Sequence, residues 1–192
     1  MRIASLAKFA FTALALNMTA YGNEARVDSV DAMAWHSVAP PDQSDWSAKR
    51  RVMFAAAKAE IEVDPRAVLK IANADIEAPV YPDSLRMALE RGAVWITGTT
   101  EPGNKGNVVI AGHRDGYFRA LESIDIGTRI QLRTATSTRE YAVSEIEIVD
   151  ALDLSPLANS EVPLLTLITC YPFRYEGYAP ERYIVRARVV TH

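Results

Sequence analysis

The sequence predicts a mostly β protein, a closed or nearly closed barrel with few helices. From Pro65 onward, short apolar runs alternate with turn residues, and most of those runs are too short and too β-branched to be helices. There are about seven or eight of them, and closing the sheet on itself is how such a set hides its edges. Composition agrees: with 49% apolar residues, the 192-residue chain fills one domain of ordinary size and leaves a surplus at its N-terminus.

That surplus comes first. Arg2 and Lys8 precede an apolar run from Phe9 to Ala20, which is the layout of an export signal. The run is shorter than the roughly 20 apolar residues of a bilayer span, but counted from Ile3 it also fits an uncleaved anchor. Small residues near Ala20 and Gly22 suit a signal peptidase. Residues 1–22 are therefore expected to be a signal peptide or a membrane anchor, which places the rest of the chain outside the cytoplasm, facing the periplasm or the cell exterior.

Residues 23–64 are expected to be a linker, with VAPPDQSD at 38–45, followed by a helix. Asp45 is the predicted cap, Trp46, Met53, Ala57 and Ile61 form its apolar stripe, and Asp64-Pro65 ends it. Residues 65–192 hold the barrel. Its strands are expected in VLKIANADIEAPV (68–80), AVWI (93–96), NVVIAGH (107–113), TRIQLRT (128–134), REYAVSEIEIVD (139–150), LLTLITC (164–170) and ERYIVRARVV (181–190). SLRMALERG (84–92) predicts a short helix closed by Gly92, and EPGNKGN (101–107) a turn-rich loop. The apolar phase switches from Tyr141 and Val143 to Ile146 and Ile148, so a bulge is expected near Ser144.

Charge and cysteine usage exclude several classes. With 21 Lys and Arg against 24 Asp and Glu, scattered and without a basic block, nothing is built to neutralise a row of phosphates, so no nucleic-acid partner is expected. One cysteine, Cys170, makes an internal disulfide impossible and excludes a zinc site built on clustered cysteines. No metal or other cofactor is expected.

A lone cysteine in an exported chain is either buried and inert, paired with another molecule, or reactive. Cys170 ends the apolar strand LLTLIT, and His113 ends the apolar strand VVIAG, so each is delivered by a strand to a barrel rim. The other histidines, His36 in the linker and His192 at the last position, are poorly placed for a rigid site. A thiol beside an imidazole is the minimal apparatus for acyl transfer through a thioester. An arginine, permanently charged and forked, suits the oxyanion that such chemistry creates. In ERYIVRARVV the alternation puts Arg182, Arg186 and Arg188 on one face, and Arg174 lies four residues past the cysteine, so several arginines compete for that role.

Two segments carry a resemblance. TLITCYPF is similar to the TLxTC signature of sortases, the membrane-associated cysteine transpeptidases, and GNVVIAGHRDGYFRAL (106–121) resembles their histidine motif. The flanking pieces, IEAPVYPDSLRMALERGAVWITGTTEPGNKGN before the histidine and GYAPERYIVRARVV after the cysteine, fall in the family's order. The GHRD, CYPF and YxGxAPxR forms are most similar to class D and proteobacterial sortases, and the likeness runs from about Val68 to Val190. It implies an eight-stranded barrel in which Cys170 is the nucleophile, His113 the general acid and base, and Arg182 the oxyanion and substrate-positioning group. Thr169 would line the groove for the sorting signal. It also implies an exported protein with an LPxTG-like C-terminal sorting signal as acyl donor, and an amine on peptidoglycan or on a protein lysine as acceptor. Gly116 after HRD, where the class often has Thr, and the short Thr136–Thr138 segment depart from the pattern and bear on substrate preference rather than on the trio.

Other cysteine chemistries fit less well. A papain-like order places the cysteine before the histidine, the caspase environment Q-A-C-x-G is missing, and no SHGC-type motif of an L,D-transpeptidase occurs. The reading from another class is an exported, non-catalytic barrel that binds a peptide by strand addition.

Overall fold

The computed structural model describes residues 37–39, 41–175 and 177–191. The expected export segment 1–22, His36 and His192 lie outside the described residues. Eight strands close into a barrel: β1 (Ala67–Ile71), β2 (Ile76–Pro82), β3 (Ala93–Trp95), β4 (Asn107–Ala111), β5 (Arg129–Arg133), β6 (Thr138–Asp150), β7 (Leu164–Tyr171) and β8 (Glu181–Val189). Their order around the barrel is β1-β2-β3-β4-β7-β8-β6-β5. Two helices accompany them, α1 (Ala48–Glu60) and α2 (Ala88–Arg91).

Alternation explains the barrel's interior. Val108 and Ile110 of β4, Leu165 and Leu167 of β7, and Val185 and Ala187 of β8 all lie in one buried cluster. Burying an aliphatic side chain of the Val, Leu or Ile kind is worth roughly 1.5–3 kcal/mol, so this two-residue period is the main force selecting the register. Two polar residues, Asn107 of β4 and Thr166 of β7, are buried on the face opposite that interior: Asn107 donates to the Pro156 and Ala158 carbonyls at 2.9 and 2.8 Å, and its Oδ1 accepts from Thr166 at 2.7 Å. With partners for both ends of its amide, Asn107 is buried without leaving that group unsatisfied.

The expected run 68–80 is two strands, not one. A 3-10 turn, Ala72–Ala74, closed by Asp75 in the left-handed region (φ 49°), folds it into a hairpin whose last pair is Ile71–Ile76. Aspartate is among the residues that tolerate that conformation, and the turn supplies the eighth strand. The bulge does fall at Ser144: the β6–β8 register shifts between Val143 and Glu145, and the Ser144 hydroxyl donates to the Arg186 carbonyl at 3.2 Å.

Both helices differ from expectation at their ends. α1 is capped by Ser47, not Asp45; the Ser47 hydroxyl accepts the Arg50 amide at 3.1 Å. It stops at Glu60, because Ile61 turns extended, and it buries Phe54 and Ala57. Trp46, Phe54 and Tyr117 meet edge to face at centroid distances of 5.4–6.3 Å, which docks α1 on the 3-10 segment Tyr117–Ser123. The second helix is a single turn, since Met87 adopts φ 62° and breaks the run from Ser84. Gly92 does close it: a Cβ there would sit 2.3 Å from the Pro79 carbonyl oxygen of β2.

Candidate active site

Strand direction brings the cysteine and histidine together. β4 and β7 are parallel, so their C-terminal ends share a rim, and they are paired up to Ala111–Ile168. The Gly112 amide then donates to the Ile168 carbonyl at 3.0 Å, and the Thr169 hydroxyl donates to the Gly112 carbonyl at 2.8 Å. The two strands are thus bonded through the residues immediately before His113 and Cys170. Thr169 is only 2% exposed. Its side chain lies on the inward face and ties the strand ends together, rather than opening onto a groove.

Gly112 makes the turn into His113 possible. A Cβ on it would come within 2.6 Å of the Phe118 ring, and that ring is fully buried in the core. Only a residue without a side chain lets the backbone pass this close.

Arg182 arrives from the opposite direction. β8 runs antiparallel to β7, and Arg182 is the cross-strand partner of Cys170. Directly paired residues share a face of the sheet, so thiol and guanidinium sit side by side on the outer face of the rim. Arg182 Nη1 donates to the Ala179 and Glu181 carbonyls at 3.2 and 2.9 Å, which holds the guanidinium against the start of its own strand. The rival arginines separate by geometry. Arg186 pairs with Glu145 (3.2 Å) and with Glu147 on β6, and Arg174 is 75% exposed beside Glu122 at 3.7 Å.

Cys170, His113 and Arg182 line one open cleft of about 990 Å³, with Arg50, Asp115 and the β7–β8 loop residues Phe173–Tyr175 and Gly177–Ala179. This is at the upper end of the roughly 300–1,000 Å³ usual for ligand-binding clefts. The loop is supported from below by Tyr171, Phe173 and Tyr183, whose rings lie 5.0–6.1 Å apart. Arg114 ties the loop to the histidine segment by donating to the Tyr175 and Gly177 carbonyls at 2.7 and 3.1 Å.

His113 itself is half-buried. Burial is the main cause holding its pKa below the ordinary histidine value, and the Arg50 guanidinium acts in the same direction; Glu90 and Asp115 oppose them. The result favours a neutral imidazole, a group able to accept a proton. Its Nε2 faces Glu90 Oε1 at 3.4 Å, a contact that becomes an ion pair only when the ring is protonated.

Residues 69–190 match the model of the sortase domain, well over half of the chain. The chain belongs to the sortase family. Among its relatives, Sortase D of Bacillus subtilis (strain 168) is 33% identical over 65% of this chain and 63% of its own length. Sortase A of Staphylococcus aureus is 31% identical over 59% of this chain and 60% of its own length. The chain therefore spans about three-fifths of the length of the curated relatives it matches. Among solved structures, the catalytic domain of B. anthracis SrtD superposes with a TM-score of 0.57 at 32% identity, covering 68% of this chain and 90% of that one. A Clostridium perfringens Sortase D5 transpeptidase superposes at TM-score 0.60 and 22% identity, over 76% of this chain and all of that one, and shares the fold.

Two charged residues at this sortase site, Arg50 and Glu90, were not singled out by sequence. Arg50 sits on a helix that the sequence marked only by its apolar stripe, Glu90 on a segment read only as a short helix, and neither is near His113 in the chain. Only the Arg and Asp that directly follow the histidine hinted that its surroundings would be ionic.

Proposed function

We propose that the protein is a cysteine transpeptidase that cleaves an LPxTG-like sorting signal between Thr and Gly and passes the acyl group to an amine. The observation that supports it most is the pairing of Cys170 with Arg182 across β7 and β8, with His113 at the same rim. In the first half-reaction, neutral His113 takes the Cys170 proton and the sulfur attacks the threonine carbonyl carbon. Arg182 stabilises the oxyanion, the C–N bond breaks, and His113 returns the proton to the departing glycine amine. In the second, an acceptor amine attacks the thioester, His113 takes its proton, and the thiol is regenerated. The acyl donor is an exported protein with such a signal at its C-terminus, and the amine belongs to peptidoglycan or to a protein lysine. Residues 1–22 export the chain or hold it at the membrane, and the barrel works on the outer side. Thr169 contributes by bonding Gly112, which keeps the two strand ends together.

The test is incubation of the protein with an LPxTG-type peptide and an oligoglycine amine, followed by mass spectrometry. Cleavage at Thr–Gly with formation of the new amide is expected. Failure to cleave any of a panel of LPxTG-like peptides overturns the reading. Arginine assignment is tested in the same assay. Arg182→Lys keeps charge but loses the fork, and should lower kcat by on the order of 10². Arg186→Ala breaks only ion pairs with β6 and should leave the rate close to wild type. The assignment fails if Arg174→Ala or Arg186→Ala is the slower enzyme.

A further inference from the structure

The α1 helix lies upstream of the segment 69–190 that matches the sortase domain, yet it places a side chain in the cleft. Arg50 is only 13% exposed and bridges two carboxylates. Its Nη1 pairs with Glu90 Oε2, while Nη2 and Nε meet Asp115 Oδ1 at 3.0 and 3.2 Å. The other oxygen of Glu90 faces His113 Nε2 at 3.4 Å. A second pair, Arg86 with Glu60, joins the C-terminal turn of α1 to the same segment. α1 is therefore fastened at both ends to the stretch that carries Glu90.

We propose that Arg50 is a positioning residue of the active site: by joining Glu90 to Asp115, it fixes the carboxylate that faces the imidazole of His113. The inference rests on the assignment of His113 as the acid and base. A guanidinium fork that engages two carboxylates holds each in one geometry, which a single point charge does not. Glu90 sits on a one-turn helix that begins from a left-handed Met87, a conformation that a residue with a side chain seldom adopts. Such a turn needs an outside tether to hold its side chain still, and Arg50 is that tether.

Charge counting then gives a signature. Around the imidazole stand Glu90 and Asp115, both negative, and Arg50, positive, for a local balance of −1. The other groups that could titrate or act on it from the same cleft are Lys49, Arg114, Arg119, Cys170, Arg174, Tyr175, Tyr178 and Arg182, and none of them is altered in the test. Arg50→Met leaves two carboxylates unopposed and favours the imidazolium. Glu90→Gln removes one carboxylate and favours the neutral ring. The double variant restores −1.

The experiment is titration of the His113 imidazole protons by NMR in the full chain, with His113→Gln identifying the resonance, alongside the pH dependence of kcat/KM. The His113 midpoint should move to higher pH in Arg50→Met and to lower pH in Glu90→Gln, and it should return near wild type in the double variant. Arg50→Lys should fall between wild type and Arg50→Met. The acid limb of kcat/KM should follow the same order, with the loss in Arg50→Met falling on kcat and not on KM. Thermal melts identify any variant that is merely misfolded, and the double variant answers for a single one that is. Midpoints that stay put, or that shift the same way in both single variants, overturn the proposal, as does a loss confined to KM. Midpoints that move in this order while the acid limb does not would leave Arg50 in its place and overturn instead the role given to His113.

Discussion

Cys170→Ala is expected to abolish both transfer and hydrolysis of an LPxTG-type peptide, and to leave no peptide adduct on the intact protein. The cysteine is the only one in the chain, so a mass increase equal to the acyl fragment that the wild type shows and Cys170→Ala lacks places the adduct on its sulfur. The thiol is also reachable: it is free, half-buried and open to the cleft. Cys170→Ser should retain a trace at most, because an alcohol is far less acidic and no oxyanion group compensates for a nucleophile that is not formed. Since Cys170 contributes to the rim and not to the barrel core, both variants should melt close to wild type. Turnover near wild type in folded Cys170→Ala would remove the thioester route altogether.

The second large effect is at His113. General acid–base assistance is typically worth about 10² to 10⁴ in rate, and His113→Ala should lose at least that, while His36→Ala and His192→Ala stay near wild type. The same residue has a stability signature. Burial and Arg50 hold its folded pKa below the unfolded value of 6.5, so in acid the unfolded chain binds the proton first. The contribution is complete above the unfolded value and is lost as pH falls through the folded one. Wild-type melting temperature should therefore drop relative to that of His113→Gln as the pH is lowered from 7 toward 5. A wild type that instead gains on the variant in acid would contradict the burial of a neutral ring.

Sequence made the barrel legible because each strand buries one face, and a two-residue apolar period leaves a direct imprint. The hairpin inside 68–80 was hidden because a turn built from Ala, Asn, Ala and Asp carries no Gly or Pro to mark it. The second helix read too long for the converse reason: Met87 is a good helix former, and nothing in the run SLRM marks the left-handed conformation it adopts. His113 and Cys170 could be nominated one at a time. That they share a rim depends on β4 and β7 being parallel, a pairing of segments more than fifty residues apart with no local signature. Glu90 and Arg50 were out of reach for a similar reason, since their meeting across forty positions exists only once α1 has docked. Thr169 shows the limit of a motif, which marked the position while the hydrogen bond to Gly112 showed what the side chain holds.

The pairing of Cys170 with Arg182 carries a consequence for how the chain tolerates insertions and deletions. Along β7 and β8 the ladder runs unbroken from Leu164–Arg188 to Tyr171–Glu181. Since neighbouring residues alternate faces, adding or removing one residue inside it would send either the thiol or the guanidinium to the far side of the sheet, however small the displacement. The nine residues 172–180 between the strands can change in number without altering that parity. β6 already contains an unmatched residue at Ser144, and it carries none of the three proposed catalytic groups. Length variation in homologous chains should accordingly collect in the β7–β8 loop and at the β6 bulge, and be purged from the two strands between which the proposed chemistry takes place.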